Sequence, residues 1–119
     1  MSKFRFEDIE IWQLAKDLAK DLFRVSDNLE KRRLYRFSEQ LRASALSVAN
    51  NIAEGSGSSS KKEFCQFLNI AKRSVFEVAN MLIVFSEERF IEQKTKEALL
   101  NRLDILSRKI KAFQNSLLR

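Results

Sequence analysis

Phe64, Leu68, Ala71, Val75, Val78, Leu82 and Phe85 recur at alternating four- and three-residue steps, with no glycine or proline between them. That spacing returns every side chain to one face of an α-helix and does not match the two-residue alternation of a strand. A seam this long has to be covered by other helices, because a lone amphipathic helix leaves its apolar stripe in water. The chain supplies the cover. Ile11, Ala15, Leu18, Leu22 and Val25 form a second seam, flanked by an apolar strip of Trp12, Ala19 and Phe23. Leu41, Ala45, Val48 and Ile52 form a third, and Leu99, Leu103, Leu106, Ile110, Phe113 and Leu117 a fourth. With no proline and only two glycines, strand-and-turn architectures lack their usual punctuation. The expected fold is all-α: an antiparallel up-down-up-down four-helix bundle in a single domain over residues 1–119. Its helices are expected near 8–27, 38–54, 60–86 and 92–117.

The ends of these segments follow from local chemistry. Asp8 and Ser38 are expected N-caps, and Asp27 to Phe37 reads as a polar, basic connection. Gly55 is the expected left-handed cap of the second helix, followed by the flexible run Gly55-Ser56-Gly57-Ser58-Ser59. Ser60 and Glu63 have the spacing of a capping box. Phe4, Phe6, Phe37 and Phe90 lie near helix ends, where they are expected to pin connections onto the bundle.

The second helix also carries an unusual ribbon. Gln40, Ser44, Ser47, Asn51 and Glu54 line a face that an ordinary solvated helix would fill with lysine and glutamate. The third helix repeats the pattern with Gln66, Asn69, Arg73, Glu77 and Asn80. Such ribbons point to close helix contact, to a partner surface, or to both.

Catalytic chemistry has little to work with. There is no histidine, so the commonest general base and metal ligand is missing. The Glu-x-x-His pairs of bundle di-metal sites therefore cannot be written, and no metal, cofactor or catalytic residue is expected. Cys65 is the single cysteine and reads as a small buried hydrophobe. Glu54 and Glu77 stand on uncharged faces, where capping or pairing with Arg42 or Arg73 is their expected role. The Gly55–Lys62 stretch has neither the glycine–lysine adjacency nor the preceding strand of a nucleotide-binding phosphate loop. At most the start of the third helix, with Ser60, Lys61 and Lys62, can hold one backbone phosphate; a solvated cap is the alternative.

Charge gives a more definite lead. The formal net charge is +6, and the excess is clustered. Lys31, Arg32, Arg33 and Arg36 fall within six positions, while Arg102, Arg108, Lys109, Lys111 and Arg119 face only Asp104 near the C-terminus. Clusters of this kind attract polyanions. The phenylalanines lie mostly on or beside seams, so no exposed aromatic platform for single strands is expected. No run of about 18 apolar residues is present, so no membrane span is expected. The opening Met1–Asp8 has no apolar signal core, and one unpaired cysteine suits a reducing, cytoplasmic setting.

Four segments, in this order, resemble a known family: Phe6-Glu7-Asp8-Ile9-Glu10-Ile11-Trp12-Gln13-Leu14-Ala15, Gln40-Leu41-Arg42, Asn51-Ile52-Ala53-Glu54-Gly55, and Glu63-Phe64-Cys65-Gln66-Phe67-Leu68-Asn69-Ile70-Ala71. The chain is similar to the bacterial four-helix bundle proteins encoded by intervening sequences of large-subunit rRNA genes, a group that includes the accessory variability determinants of diversity-generating retroelements. The resemblance implies a protomer of a ring-shaped homopentamer without enzymatic activity. For the retroelement members it further implies a basic surface for nucleic acid and for a reverse transcriptase. Trp12, Gln40, Arg42, Asn51, Glu54 and Gly55 are its matching motif and candidate interface residues. The pattern often places bases where Ala43 and Ser58 stand here, and a glycine where Arg73 stands.

The expected function is that of a non-enzymatic oligomer that binds RNA or DNA backbone by charge neutralisation. The candidate contacts are Lys31, Arg32, Arg33, Arg36, Lys61, Lys62, Arg73, Arg102, Arg108, Lys109 and Lys111. The alternative is a protein–protein adaptor or assembly module that binds no nucleic acid.

Overall fold

In a computed structural model that describes residues 3–119, the chain enters through one turn of 3-10 helix, Arg5–Asp8, and then forms four long helices. These are α1 (Glu10–Lys31), α2 (Tyr35–Ser56), α3 (Lys61–Glu87) and α4 (Gln93–Leu117), with no strand among the described residues. They run up, down, up and down in an elongated bundle of about 45 × 25 × 23 Å. Met1 and Ser2 of the opening segment lie outside the described residues.

The seams close on one another as their spacing predicts. All seven positions from Phe64 to Phe85 are buried, as are Ile11, Ala15, Leu18, Leu22 and Val25 of α1 and Leu41, Ala45, Val48 and Ile52 of α2. On α4, Leu99, Leu103, Leu106 and Ile110 are buried, and Phe113 and Leu117 pack partly buried against the same core. The removal of this apolar surface from water is the main stabilising term. Rings close the two ends. Phe37, Phe85 and Phe90 cluster with centroids 5.3–6.2 Å apart at the α1–α2 end. At the other, Phe4 stacks on Phe6, which in turn meets Trp12 at a tilt with centroids 4.9 Å apart.

The connections differ from the sequence expectation in physically informative ways. The Asp27–Phe37 connection shrinks to Arg32–Leu34, because α1 runs on to Lys31 and α2 already begins at Tyr35. The turn is closed by a Schellman motif: the Leu34 amide donates to the Leu29 carbonyl at 3.0 Å and the Arg33 amide to that of Glu30 at 2.9 Å. Arg33, with φ 65°, occupies the left-handed position that glycine usually fills. The end of α3 repeats the device, with Phe90 donating to Phe85 at 2.8 Å and Arg89 at φ 63°.

Ser38 is not a cap. It is buried within α2, and its hydroxyl donates to the Ser26 carbonyl of α1 at 2.8 Å. Asp8 sits in the 3-10 turn, and Ile9 precedes α1 instead. Gly55 lies inside α2, and no glycine has positive φ. Ser60 does cap α3, accepting the Glu63 amide at 3.1 Å.

Candidate nucleic-acid interface

The eleven bases singled out from the sequence do not form one patch. Lys31, Arg32, Arg33 and Arg36 surround the α1–α2 turn at one end of the bundle, whereas Lys61 and Lys62 start α3 at the other. Arg73 lies midway along α3, and Arg102, Arg108, Lys109 and Lys111 descend α4. Several are already occupied. Arg102 pairs with Asp21 of α1 at 2.6 Å, Lys109 with Glu10 at 3.1 Å, and Arg108 with Asp104 at 3.1 Å. Arg32, though exposed, reaches across to the α3–α4 turn, donating to the carbonyls of Arg89 and Phe90, both at 3.0 Å, with its guanidinium 5.7 Å from the Phe90 ring centroid. Arg102 and Lys109 thus tie α4 to α1, and Arg32 ties the α1–α2 turn to the α3–α4 turn. Lys31, Arg33, Arg36, Lys61, Lys62, Arg73 and Lys111 make no ion pair among the described residues.

Arg42 governs what the α1–α2 end presents. From the first turns of α2 it reaches back to α1 and bonds Glu30 at 2.6 Å and Asp27 at 2.7 Å. The bond it donates to Glu30, and then that to Asp27, raise its pKa above the ordinary arginine value. Asp27 and Glu30, the acids on the α1 side of Lys31–Arg36, are both offset by this one guanidinium, whereas Glu39, three residues after Arg36 on α2, is exposed. Lys31, Arg33 and Arg36 are exposed around this corner and make no ion pair among the described residues.

The other motif residues are mainly structural. Gly55 allows the end of α2 to approach the start of α3: a Cβ there would meet Cδ1 of Phe64 at 2.7 Å and Cβ of Phe67 at 2.9 Å. Trp12 is half-buried between Phe6 and the Lys16 ammonium, which lies 5.4 Å from its ring centroid. Asn51 donates to the carbonyl and hydroxyl of Ser47, at 2.8 and 3.1 Å, and Ser47 meets the Ser74 hydroxyl at 2.9 Å. Ser44 donates to Glu77 at 2.6 Å. The α2 ribbon is therefore divided: Ser44 and Ser47 bond across to α3, Asn51 backs Ser47 from within α2, and Gln40 and Glu54 stay exposed. Glu77 accepts the Ser44 bond instead of pairing with Arg42 or Arg73. Cys65 is half-buried rather than buried, its Sγ lying 3.9 Å from the Gln114 carbonyl.

Two apolar surfaces are not foreshadowed by the seams. Leu46, 46% exposed, joins Phe23 and Ala43 in a shallow cleft between α1 and α2. Phe76 is 66% exposed and shares a surface depression with Lys72, Arg73 and Glu77. This corrects the expectation that no exposed aromatic accompanies the bases. The signal was present in the sequence, because Phe76 follows the seam residue Val75 and so lies well off the buried face.

No helix among the described residues is long and apolar enough to cross a membrane. No group of three or more His, Cys, Asp or Glu residues among them is placed to hold a metal ion.

Comparison with known proteins bears on the fold and the family. A solved protein of unknown function from the S23 ribosomal protein family of Bacteroides thetaiotaomicron superposes with a TM-score of 0.84 at 19% identity, over 87% of this chain and 97% of its own. At that identity the likeness establishes the fold. A search of curated protein sequences finds no match. The model of the 23S rRNA-intervening sequence protein family matches residues 7–112, and the chain belongs to that family.

Proposed function

We propose that this chain is a non-enzymatic, cytoplasmic, self-associating bundle that binds RNA or DNA backbone through the α1–α2 end. The observation that carries this reading is the pairing of Asp27 and Glu30 with Arg42, while the exposed bases Lys31, Arg33 and Arg36 make no ion pair among the described residues. Three cations around one tight turn, on a chain of net charge +6, suit phosphate contacts that carry no base identity. The paired bases of α4 are removed from the contact set, since their charge is already spent on Asp21, Glu10 and Asp104.

Self-association is supported by apolar surface on different faces. The Phe23–Ala43–Leu46 cleft lies on the α1–α2 side, and Ile105 of α4 is 42% exposed elsewhere on the bundle. Contact between two unlike surfaces is heterologous and closes into a ring when the rotation allows, five copies being the number the family resemblance implies. A ring would place the α1–α2 corners of all copies at one end and multiply their field.

The test is to replace Lys31, Arg33 and Arg36 by Gln and titrate labelled RNA and DNA across a range of salt. The slope of log affinity against log salt should become shallower by about two to three, at roughly 0.9 for each phosphate no longer neutralised. An unchanged slope removes this corner from the interface. The second reading, an adaptor for another protein, rests on the Leu46 cleft; salt-insensitive capture of a defined partner that is abolished in Leu46→Glu would favour it.

A further inference from the structure

Between α3 and α4 lies a groove of about 410 Å³ that the phosphate-reading corner does not use. Its walls are Phe76, Ala79, Ile83 and Leu100, with the Asn80 amide and the Ser107 hydroxyl also lining it. Neither an aromatic ring nor a cation covers Phe76 among the described residues, although it is 66% exposed. An apolar slot with hydrogen-bonding groups in its lining has the chemistry of a site for a flat ring with polar edges.

The charges around the groove narrow the choice. Lys72 and Arg73 lie one helical turn before Phe76, on the side chain's own part of α3, and neither is paired with an acid among the described residues. Glu77, the acid next to them, is bonded to Ser44 on α2 at 2.6 Å. Asp104, the acid lining the groove, is paired with Arg108 at 3.1 Å. An open aromatic beside two cations that no acid pairs, with Asp104 offset by Arg108 and the Glu77 carboxylate turned toward Ser44 of α2, is complementary to a base and its flanking phosphates.

We propose that the α3–α4 groove seats an unstacked nucleobase of a single-stranded nucleic acid, with Phe76 as its stacking face and Lys72 and Arg73 on the adjacent phosphates. This rests on the nucleic-acid reading and deepens it: the α1–α2 corner supplies sequence-blind attraction, and the groove selects single strands over duplex, whose bases are already stacked. Every base has a π-face, so little sequence preference is expected.

The test compares wild type with Phe76→Ala, Phe76→Leu and Phe76→Trp, using an oligouridine containing 2-aminopurine and an RNA duplex of the same length. Stacking on an aromatic side chain contributes roughly ten- to a hundredfold in affinity. Phe76→Ala and Phe76→Leu should lose that factor on the single strand and almost nothing on the duplex. Phe76→Trp should keep single-strand affinity, and 2-aminopurine fluorescence should change on binding wild type and Phe76→Trp only. If wild type binds both probes and the Ala variant binds the single strand equally well, the groove is not a base site, while the α1–α2 reading stands. If wild type binds neither probe at low salt, both readings fall. If Phe76→Ala sediments as a smaller species without nucleic acid, the groove holds a second copy of the chain and the proposal is overturned.

Discussion

The Cβ that Gly55 lacks would lie 2.7 Å from Cδ1 of Phe64, well inside any tolerable contact. The last turn of α2 and the first of α3 therefore touch through backbone on one side and ring on the other. The ring is not free to withdraw: Phe64 is buried, packs 5.4 Å from Phe113, and has the Arg5 guanidinium 5.6 Å from its centroid. Gly55→Ala gains helix propensity but overpacks this junction, and overpacking typically costs about 1–3 kcal/mol. The variant should be less stable than wild type by roughly 1–2 kcal/mol in urea unfolding. A stabilised Gly55→Ala would show that the glycine serves something other than close approach.

The two left-handed arginines make the opposite prediction. A side chain at positive φ costs roughly 1 kcal/mol that glycine avoids. Arg89→Gly and Arg33→Gly should each stabilise the bundle by about 0.5–1 kcal/mol, seen as a rise of a few degrees in Tm. Their binding should diverge. Arg33→Gly removes a base from the proposed phosphate contacts and should weaken RNA affinity, whereas Arg89→Gly should leave it nearly unchanged. Equally weakened binding in the two variants would place the contact surface around the α3–α4 turn as well.

These positions also show what the sequence reveals and what it hides. The seams were legible because helical periodicity repeats over many residues, and one periodic face has only one way to be buried. The α1–α2 turn was not, because its stop signal is arginine rather than glycine at the left-handed position, and Lys31 to Arg36 look like loop composition. Gly55 carried the composition of a cap but is there for space, a distinction that depends on Phe64 and Phe67 across the interface. The bases of α4 could not be sorted from sequence, since Arg102 finds Asp21 across 81 residues of chain. Only pairings near in sequence, such as Arg108 with Asp104, are visible as spacing.

Ser38 offers a separate check on the interior. Its hydroxyl, in a residue 1% exposed, donates to the Ser26 carbonyl, and the Ser26 hydroxyl donates in turn to Leu22. Ser38→Ala removes one buried bond to a carbonyl that has other helical options, so the cost should be about 1 kcal/mol. Ser38→Val adds bulk where α1 and α2 are close and should cost more, about 2 kcal/mol or above. If both variants unfold at the wild-type denaturant midpoint, the α1–α2 contact is looser than the 2.8 Å bond implies.

Arg42 yields the prediction that best separates the functional reading from a purely structural one. Its side chain is about a third exposed and its partners about half, so solvent screening leaves its pairs with Asp27 and Glu30 little weight in stability. Their electrostatic effect on the neighbouring corner is larger than their effect on folding. Arg42→Ala would free two carboxylates beside Lys31, Arg33 and Arg36, lowering the local potential without removing a proposed contact. RNA affinity at low salt should fall about three- to tenfold, and the deficit should shrink as salt shortens the screening length below about 8 Å. Adding Asp27→Asn and Glu30→Gln to Arg42→Ala should restore most of the affinity, because the liberated charges are then gone. A deficit that the triple variant fails to restore would mean that Arg42 itself contacts the nucleic acid. An Arg42→Ala protein that binds like wild type would remove the α1–α2 corner as the principal interface.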